Sequence, residues 1–541
     1  AARINDNNTI EFKNLFNQIN NSQYIDRIGT NQQDNNLISK FGGFQETFRG
    51  VYSSQLVGKH KLFGQRTNVN WVLNYSSSYR DLPDMRRYRR DIIDGKEKNY
   101  LPLGTAQPFF LGRVFINMDE FSYSGSVGVD HTIEINESFL PVVSAGILYE
   151  NKERAFRARN IGYARQLEYD QNLELLPIDK LFEDKNINTT NGLRLDEQTN
   201  PTDSYDATNK LRAYYGSLSL PISKKINISG GVRLEDNTQN LLNVPEPPRD
   251  PRVKRVLPSA NVSYNFTDKM LIRATYGKSL NRPEFRELAA FGFYEFENNW
   301  VIAGNPQLKT AKISNYDLRW EWYPSAEEMI TVGAFYKNFE DAIEMKAPAG
   351  AGTTRLFNFR NAELANNYGI EIDIRKSLNG LTLSKFLNKM SVLFNTALIK
   401  SVVKVDDLPE RPLMGQSPYV INTGLYYNDE EKGLQLSALY NIAGRRIFAV
   451  GSYSRENNGS ALEVQDEDIY EMPRGVLDLS VIKTFKVRYQ VKASISDILN
   501  QHYVLMQDAN GDGKFEEDKD QVLQKMRYGQ LFSLGFTYKI L

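Results

Sequence analysis

An all-β chain folded as a transmembrane antiparallel β-barrel is what this sequence predicts, on three observations. Many short segments alternate apolar and polar residues, tight turns alternate with long polar loops, and no apolar run reaches the roughly 18 residues of a membrane helix. Successive side chains of a strand point to opposite faces, so each segment carries one greasy face. Periodicity alone leaves two settings for that face: against a second sheet in a soluble all-β protein, or against lipid around a wet lumen. The loops favour the barrel, because a soluble sandwich has no reason to gather its long loops at one end. A propeller's repeat of about 40–45 residues is not visible.

Residues 1–5 read as the end of a strand, followed by the turn Asp6-Asn-Asn and a strand over 9–20. Strand pairs follow at 44–60 with 66–80, 120–133 with 139–155, and 209–222 with 226–236. Strand 257–266 sets Ala260, Val262, Tyr264 and Phe266 against Ser259, Asn261, Ser263 and Asn265. It turns at Thr267-Asp-Lys into 270–279, with Met270, Ile272, Ala274 and Tyr276 outward. Strand 313–323 places Tyr316, Leu318, Trp320 and Trp322 opposite Asn315, Asp317, Arg319 and Glu321, then turns at 324–328 into 329–346. Segments 473–484 and 488–495 form a late hairpin, and Phe532, Leu534, Phe536, Tyr538 and Ile540 line the last strand. The count is roughly 18 strands and leaves a gap, because a single-chain barrel has an even number of strands and must close to survive in lipid. Short turns fall near 62, 136, 224, 268, 326, 381, 430 and 486. Long loops fall near 20–43, 81–115, 159–208, 240–255, 281–310, 347–355, 405–416, 450–472 and 507–524.

Composition narrows the function. Lys+Arg and Asp+Glu both number 66, so no basic excess points to nucleic acid. Cysteine is absent and the three histidines, His60, His131 and His502, are far apart, which removes disulfides, thiolate sites and a multi-histidine centre. A mean hydropathy of −0.50 does not argue against a membrane, because half of a barrel strand is polar. The 30 Tyr and 29 Phe suit two interfacial aromatic girdles. The chain starts Ala-Ala-Arg, with neither initiator Met nor signal peptide, and reads as a fragment or processed product whose sheet a preceding segment completes.

The run Tyr276-Gly-Lys-Ser-Leu-Asn-Arg-Pro-Glu-Phe-Arg-Glu-Leu288, then Gly304-Asn-Pro-Gln-Leu-Lys309 and Asn315-Tyr-Asp-Leu-Arg-Trp-Glu-Trp-Tyr-Pro324, resembles the TonB-dependent outer-membrane transporters, most of all the large Bacteroidetes-type receptors. Residues 58–63, 79–84 and 532–541 fit the same pattern. The resemblance implies a barrel of about 22 strands, of which residues 1–541 supply about the last 18 as one partial domain. It places the N-terminal plug, the TonB-contacting box and the first strands outside this sequence. It implies a bacterial outer-membrane protein, not an enzyme, importing a scarce nutrient (siderophore, haem, glycan or peptide). TonB, membrane lipids and lipopolysaccharide would be its partners. The alternative is a non-transporting barrel that docks surface lipoproteins. Leu541 departs from the aromatic residue that usually ends such barrels.

Two segments carry candidate chemistry. Asp508-Ala-Asn510-Gly-Asp512-Gly513 matches the start of a calcium loop, and the candidate ligand set is Asp508, Asn510, Asp512, Lys514, Glu516 and Asp520. Lys519 stands where an EF-hand has its bidentate Glu, so Asp518 or Asp520 would have to serve, in a structural role. Arg80 and the run Arg86, Arg87, Arg89 and Arg90 are expected on a long loop, where guanidinium groups receive anions, a lipopolysaccharide phosphate or a partner's acidic face. Asp81, Asp84, Asp91 and Asp94 offer local charge pairing as the competing reading. Arg282 joins the candidate substrate or partner residues. Arg233, Arg273, Arg319 and Glu321 read as inward charges in a watery lumen. No nucleophile–base–orienter set and no phosphate-cradling glycine loop is present.

Overall fold

The computed structural model describes residues 2–31, 37–137, 139–298, 300–347, 355–381, 383–404, 410–455, 462–486 and 488–540. Residues 32–36, 299, 348–354, 405–409 and 456–461 of the expected loops lie outside these, as do Val487 and Leu541. Among the described residues, nineteen strands form one antiparallel meander in chain order. The first ten are β1 (Ala2–Asn5), β2 (Asn8–Asn31), β3 (Leu37–Leu62), β4 (Thr67–Ile93), β5 (Leu111–Thr132), β6 (Val142–Arg165), β7 (Tyr205–Pro221), β8 (Ile226–Leu242), β9 (Arg252–Thr267) and β10 (Met270–Asn281). Then come β11 (Ala311–Trp322), β12 (Met329–Lys346), β13 (Arg355–Ser377), β14 (Met390–Lys404), β15 (Tyr419–Asp429), β16 (Leu434–Ala443), β17 (Arg474–Phe485), β18 (Tyr489–Ser496) and β19 (Leu531–Tyr538). All eight expected short turns fall between consecutive strands at one end. A small sheet of 446–449, 469–471, 503–507 and 521–526 sits at the other end.

Register turns the alternation into a belt. Val262, Ala274, Leu318, Ala334, Ile370 and Leu398 are successive neighbours across β9 to β14, and Leu318, Ile370 and Leu398 are exposed. One step along, Tyr276, Tyr316, Tyr336 and Tyr368 make a row of outward tyrosines, with ring centroids of the first two pairs 5.0 and 5.9 Å apart. In water so wide an apolar face would have to be covered; facing hydrocarbon it is at rest.

The strands outrun the membrane. β4 has 27 residues, whereas about 9–11 cross a bilayer. On β5 the outward residues change from Phe121, Tyr123, Val127 and Val129 to Asp119, Asn117 and Arg113, while the inward set changes from Ser124, Ser122 and Glu120 to Met118, Ile116 and Val114. β6 makes the same exchange beyond Tyr149, where Phe156 and Ala158 point inward; on β7 it falls beyond Tyr214, with Tyr205 and Ala207 inward. The expected loops at 20–43 and 81–115 are therefore corrected: most of both is strand, because outside the belt the outward face is polar and the greasy-out pattern is lost.

The inward apolar patch has an occupant. Residues 282–310, between β10 and β11, fold back inside the wall as a lobe with a short helix (Phe285–Leu288) and a hairpin (292–295 with 300–303). Phe285, Leu288, Phe291, Phe293 and Phe296 pack on Leu82, Met85, Val114, Ile116, Phe156 and Tyr205. Gln23 of β2 donates to Glu297 at 2.8 Å and Arg27 donates to the Phe296 carbonyl. β2 and β10 are eight strand spacings apart, roughly 40 Å on a flat sheet, so the wall must curl round the lobe. Gly43 lets it approach, since a Cβ there would sit 2.7 Å from the Phe296 ring. The Gly304-Asn-Pro segment fastens the lobe: Asn305 takes the Glu287 carbonyl with its amide at 2.6 Å and donates from its side chain to Phe359 O at 2.8 Å.

Candidate functional site: the charged wall beneath the internal lobe

Where the inward face changes from apolar to polar, ionic side chains collect under the lobe. Arg154 on β6 donates to Glu120 of β5 at 2.6 Å and lies 5.1 Å from the Phe285 ring. Arg233 and Arg282 both hold Glu235, the former at 2.6 Å. Arg80 on β4 is the direct cross-strand neighbour of Arg49 on β3, and Arg286 hangs from the lobe with its guanidinium 4.6 Å from the Phe293 ring. These groups can bind and orient charged solute.

The arginine run is placed differently from expectation. Residues 80 and 86–90 lie on β4, not on a loop, and a register shift between Leu82 and Met85 sets their faces. Arg87 and Arg89 point inward and are buried; Arg86 and Arg90 point away. Arg89 pairs with Asp91 at 2.7 Å over the Tyr100 ring, Arg90 with Glu97 at 2.7 Å, and Arg86 with Asp84 at 2.7 Å, which Arg113 also holds at 2.8 Å. Arg87 is wedged between the rings of Phe109 and Tyr294, 4.8 and 4.2 Å from their centroids, and burial lowers its pKa to about 10. The run therefore does not converge on one point. Arg282 does reach the lobe's base, through Glu235.

The 508–520 segment is closed by its own amides. Asp508 accepts from Gly511 and Gly513, each at 2.8 Å; Asn510 accepts from Asp512 at 2.9 Å and Asp512 from Lys514 at 2.8 Å. Asp520 accepts from Ala509 at 3.1 Å and Glu516 at 2.7 Å, while the Glu516 carboxylate pairs with Lys519. Gly511 and Gly513 take φ of 70° and 76°, which supplies the tight bends. Among the described residues no three His, Cys, Asp or Glu side chains stand grouped for a metal ion.

Sequence reasoning missed Arg49, Arg286 and the Glu120–Arg154 pair. The available signal was the exchange of faces near residues 119–121 and 150–156, which marks the level at which the lumen is occupied.

Residues 2–498 match the family model described as TonB dependent receptor-like, beta-barrel. No curated protein matches the chain in sequence. Among solved structures, the ferric citrate transporter FecA in its unliganded form aligns with a TM-score of 0.53 at 13% identity, over 98% of this chain and 78% of that one. The copper transporter OprC aligns with a TM-score of 0.51 at 12% identity, over 98% and 77%. At these identities the likeness is one of fold. With a lipid-facing belt, a polar inner wall and a family match across nearly all of its length, this chain belongs to the TonB-dependent receptor-like β-barrel family.

Proposed function

We propose that this receptor holds its solute against the charged inner wall beneath the 282–310 lobe, in the course of TonB-dependent uptake across the bacterial outer membrane. The observation that carries the reading is the division of the inner wall: apolar where the lobe docks, ionic immediately below. A lobe fastened at that boundary shields the site from the outside, and bound solute would meet charges already desolvated in part, which strengthens their hold. Lipopolysaccharide phosphates would meet Arg86, which is outward and exposed above the belt and is shared with Asp84. Calcium would act on the 508–520 loop as a structural ligand only after Asp512, Glu516 and Asp520 turned toward one point. Support for it is the order of oxygen-bearing residues and the Asp508–Gly513 bond.

The test is uptake. A strain lacking this protein is compared with its parent, with and without functional TonB, on iron chelates, copper, glycans and peptides as limiting sources. Loss of one source in both the deletion and the TonB-defective strain is expected. Unchanged uptake of every source would retire the transport reading and leave a docking role for surface lipoproteins.

A further inference from the structure

Two other inward arginines beneath the lobe are matched by carboxylates, Arg154 by Glu120 and Arg233 by Glu235. Arg49, Arg80 and Arg286 are not. None of the three has an ion pair or side-chain hydrogen bond among the described residues, and the Nε atoms of Arg80 and Arg286 are buried with no partner. Arg49 and Arg80 are directly opposite on adjacent strands, where like charges repel. Glu295, on the lobe, is the carboxylate that faces both Arg80 and Arg286. Glu287 also acts on Arg286, so three guanidinium groups against two carboxylates leave a local excess of positive charge, partly desolvated, with nitrogen donors unspent. A buried donor left unmade is costly, so an acceptor that reached these nitrogens would be held strongly.

We propose that Arg49, Arg80 and Arg286 form a binding site for a small solute bearing two or more anionic oxygens, such as a polycarboxylate or a phosphate ester. Guanidinium is suited to it: its planar fork takes two oxygens of one carboxylate or phosphate, and three forks converging from wall and lobe would clamp a multiply charged solute. Arg286 is carried by the lobe and Arg49 and Arg80 by the wall, so bound anion bridges the two and holds the lobe down. The inference rests on the proposed transport role and names the charge class of the solute that this site receives.

The experiment uses detergent-extracted receptor, with citrate and inorganic phosphate as probes and maltose as a neutral comparator, in isothermal titration at low salt. Saturable binding of at least one anion is expected, with none of maltose, weakening steeply as salt rises. Arg80→Gln and Arg286→Gln should each weaken it by about 10-fold or more, in line with loss of a charge-assisted bond. Arg49→Gln, at an exposed position that tolerates change, should weaken it by a few-fold, and Lys254→Gln on the exterior should leave it unchanged. Retained heat-modifiable migration on gels establishes that each variant is folded. Absence of anion binding by folded receptor, or binding untouched in the Arg80 and Arg49 variants, overturns the inference; the charges would then be met by acidic groups of another polypeptide segment. TonB-dependent uptake that persists without anion binding sinks this inference alone, whereas anion binding without any uptake sinks only the transport reading.

Discussion

Phe156→Ala should undock the internal lobe while leaving the barrel wall standing. Phe156 is 3% exposed, with ring centroids 5.0 Å from Tyr205 and 5.2 Å from both Phe291 and Phe293. Truncating such a ring costs about 3–5 kcal/mol, of which each aromatic contact supplies roughly 0.5–1.5. β6 keeps its ladders to β5 and β7, so the loss falls mainly on docking of 282–310 rather than on the wall. Three kcal/mol corresponds to about a 100-fold shift in the opening equilibrium. Hydrogen exchange reads it: the amides of Leu288 and Ala289, bonded within the lobe to Glu284 and Phe285, should exchange at least about 100-fold faster, while the Val232 amide in β8 is unaltered. Phe156→Leu should show less than about a tenth of that effect. Acceleration below about 10-fold for Phe156→Ala, or equal acceleration in lobe and wall, would refute the claim that this ring fastens the lobe independently of the barrel.

Leu318→Arg places a charge in the middle of the outer belt and should cost about 2–4 kcal/mol, seen as loss of heat-modifiable barrel on gels, whereas Asp317→Asn on the inner face should be tolerated. Glu344, fully buried, holds Arg411 at 2.8 and 2.6 Å and accepts from the Met414 amide, so Glu344→Leu should destabilise that region by about 3–5 kcal/mol, and adding Arg411→Leu should restore most of it; resistance to limited proteolysis measures both. Asp429, at the short turn 429–434, has its pKa lowered to about 2, chiefly by the hydrogen bond from Lys389 at 2.8 Å. Its folded value lies below the unfolded one of 3.8, so its contribution is complete above that value and is lost as pH falls toward 2; exchange at the Lys432 amide should rise across that window, and Asp429→Asn should abolish the dependence. Millimolar calcium should slow proteolytic cleavage within 508–520 in the parent and not in Asp508→Ala; equal cleavage with and without calcium removes the metal from the account of this loop.

The wall was legible because its physics is local. Tyr316, Leu318, Trp320 and Trp322 alternate with Asn315, Asp317, Arg319 and Glu321, and no partner from distant sequence is needed to say which set meets lipid. Turns were legible for the same reason, each lying between two such runs. The upper halves of β2 to β4 were not, since above the belt the outward residues are Arg86, Tyr88 and Arg90, which read by composition as loop. Pairing within β4 and its neighbours accounts for most of the arginine run, and a register shift between Leu82 and Met85 decides which members face inward. Nothing in the order of residues 79–94 encodes that shift.

The lobe is the harder case, and its signature is a contradiction rather than a pattern. A wall with polar lumen residues below Met118 and apolar ones above it cannot be water-filled at both levels, because Ile116, Phe156 and Tyr205 on three adjacent strands would then expose a contiguous apolar surface. Some segment must cover it. Among the long loops, 282–310 supplies the most aromatic cover, with Phe285, Phe291, Phe293, Tyr294, Phe296 and Trp300. Matching an uncovered inward patch to the loop able to cover it places that loop inside the barrel. The same reasoning explains why the charges gather where they do: the boundary of the dry patch is the place where an inward arginine is half desolvated yet still within reach of solute from the lumen.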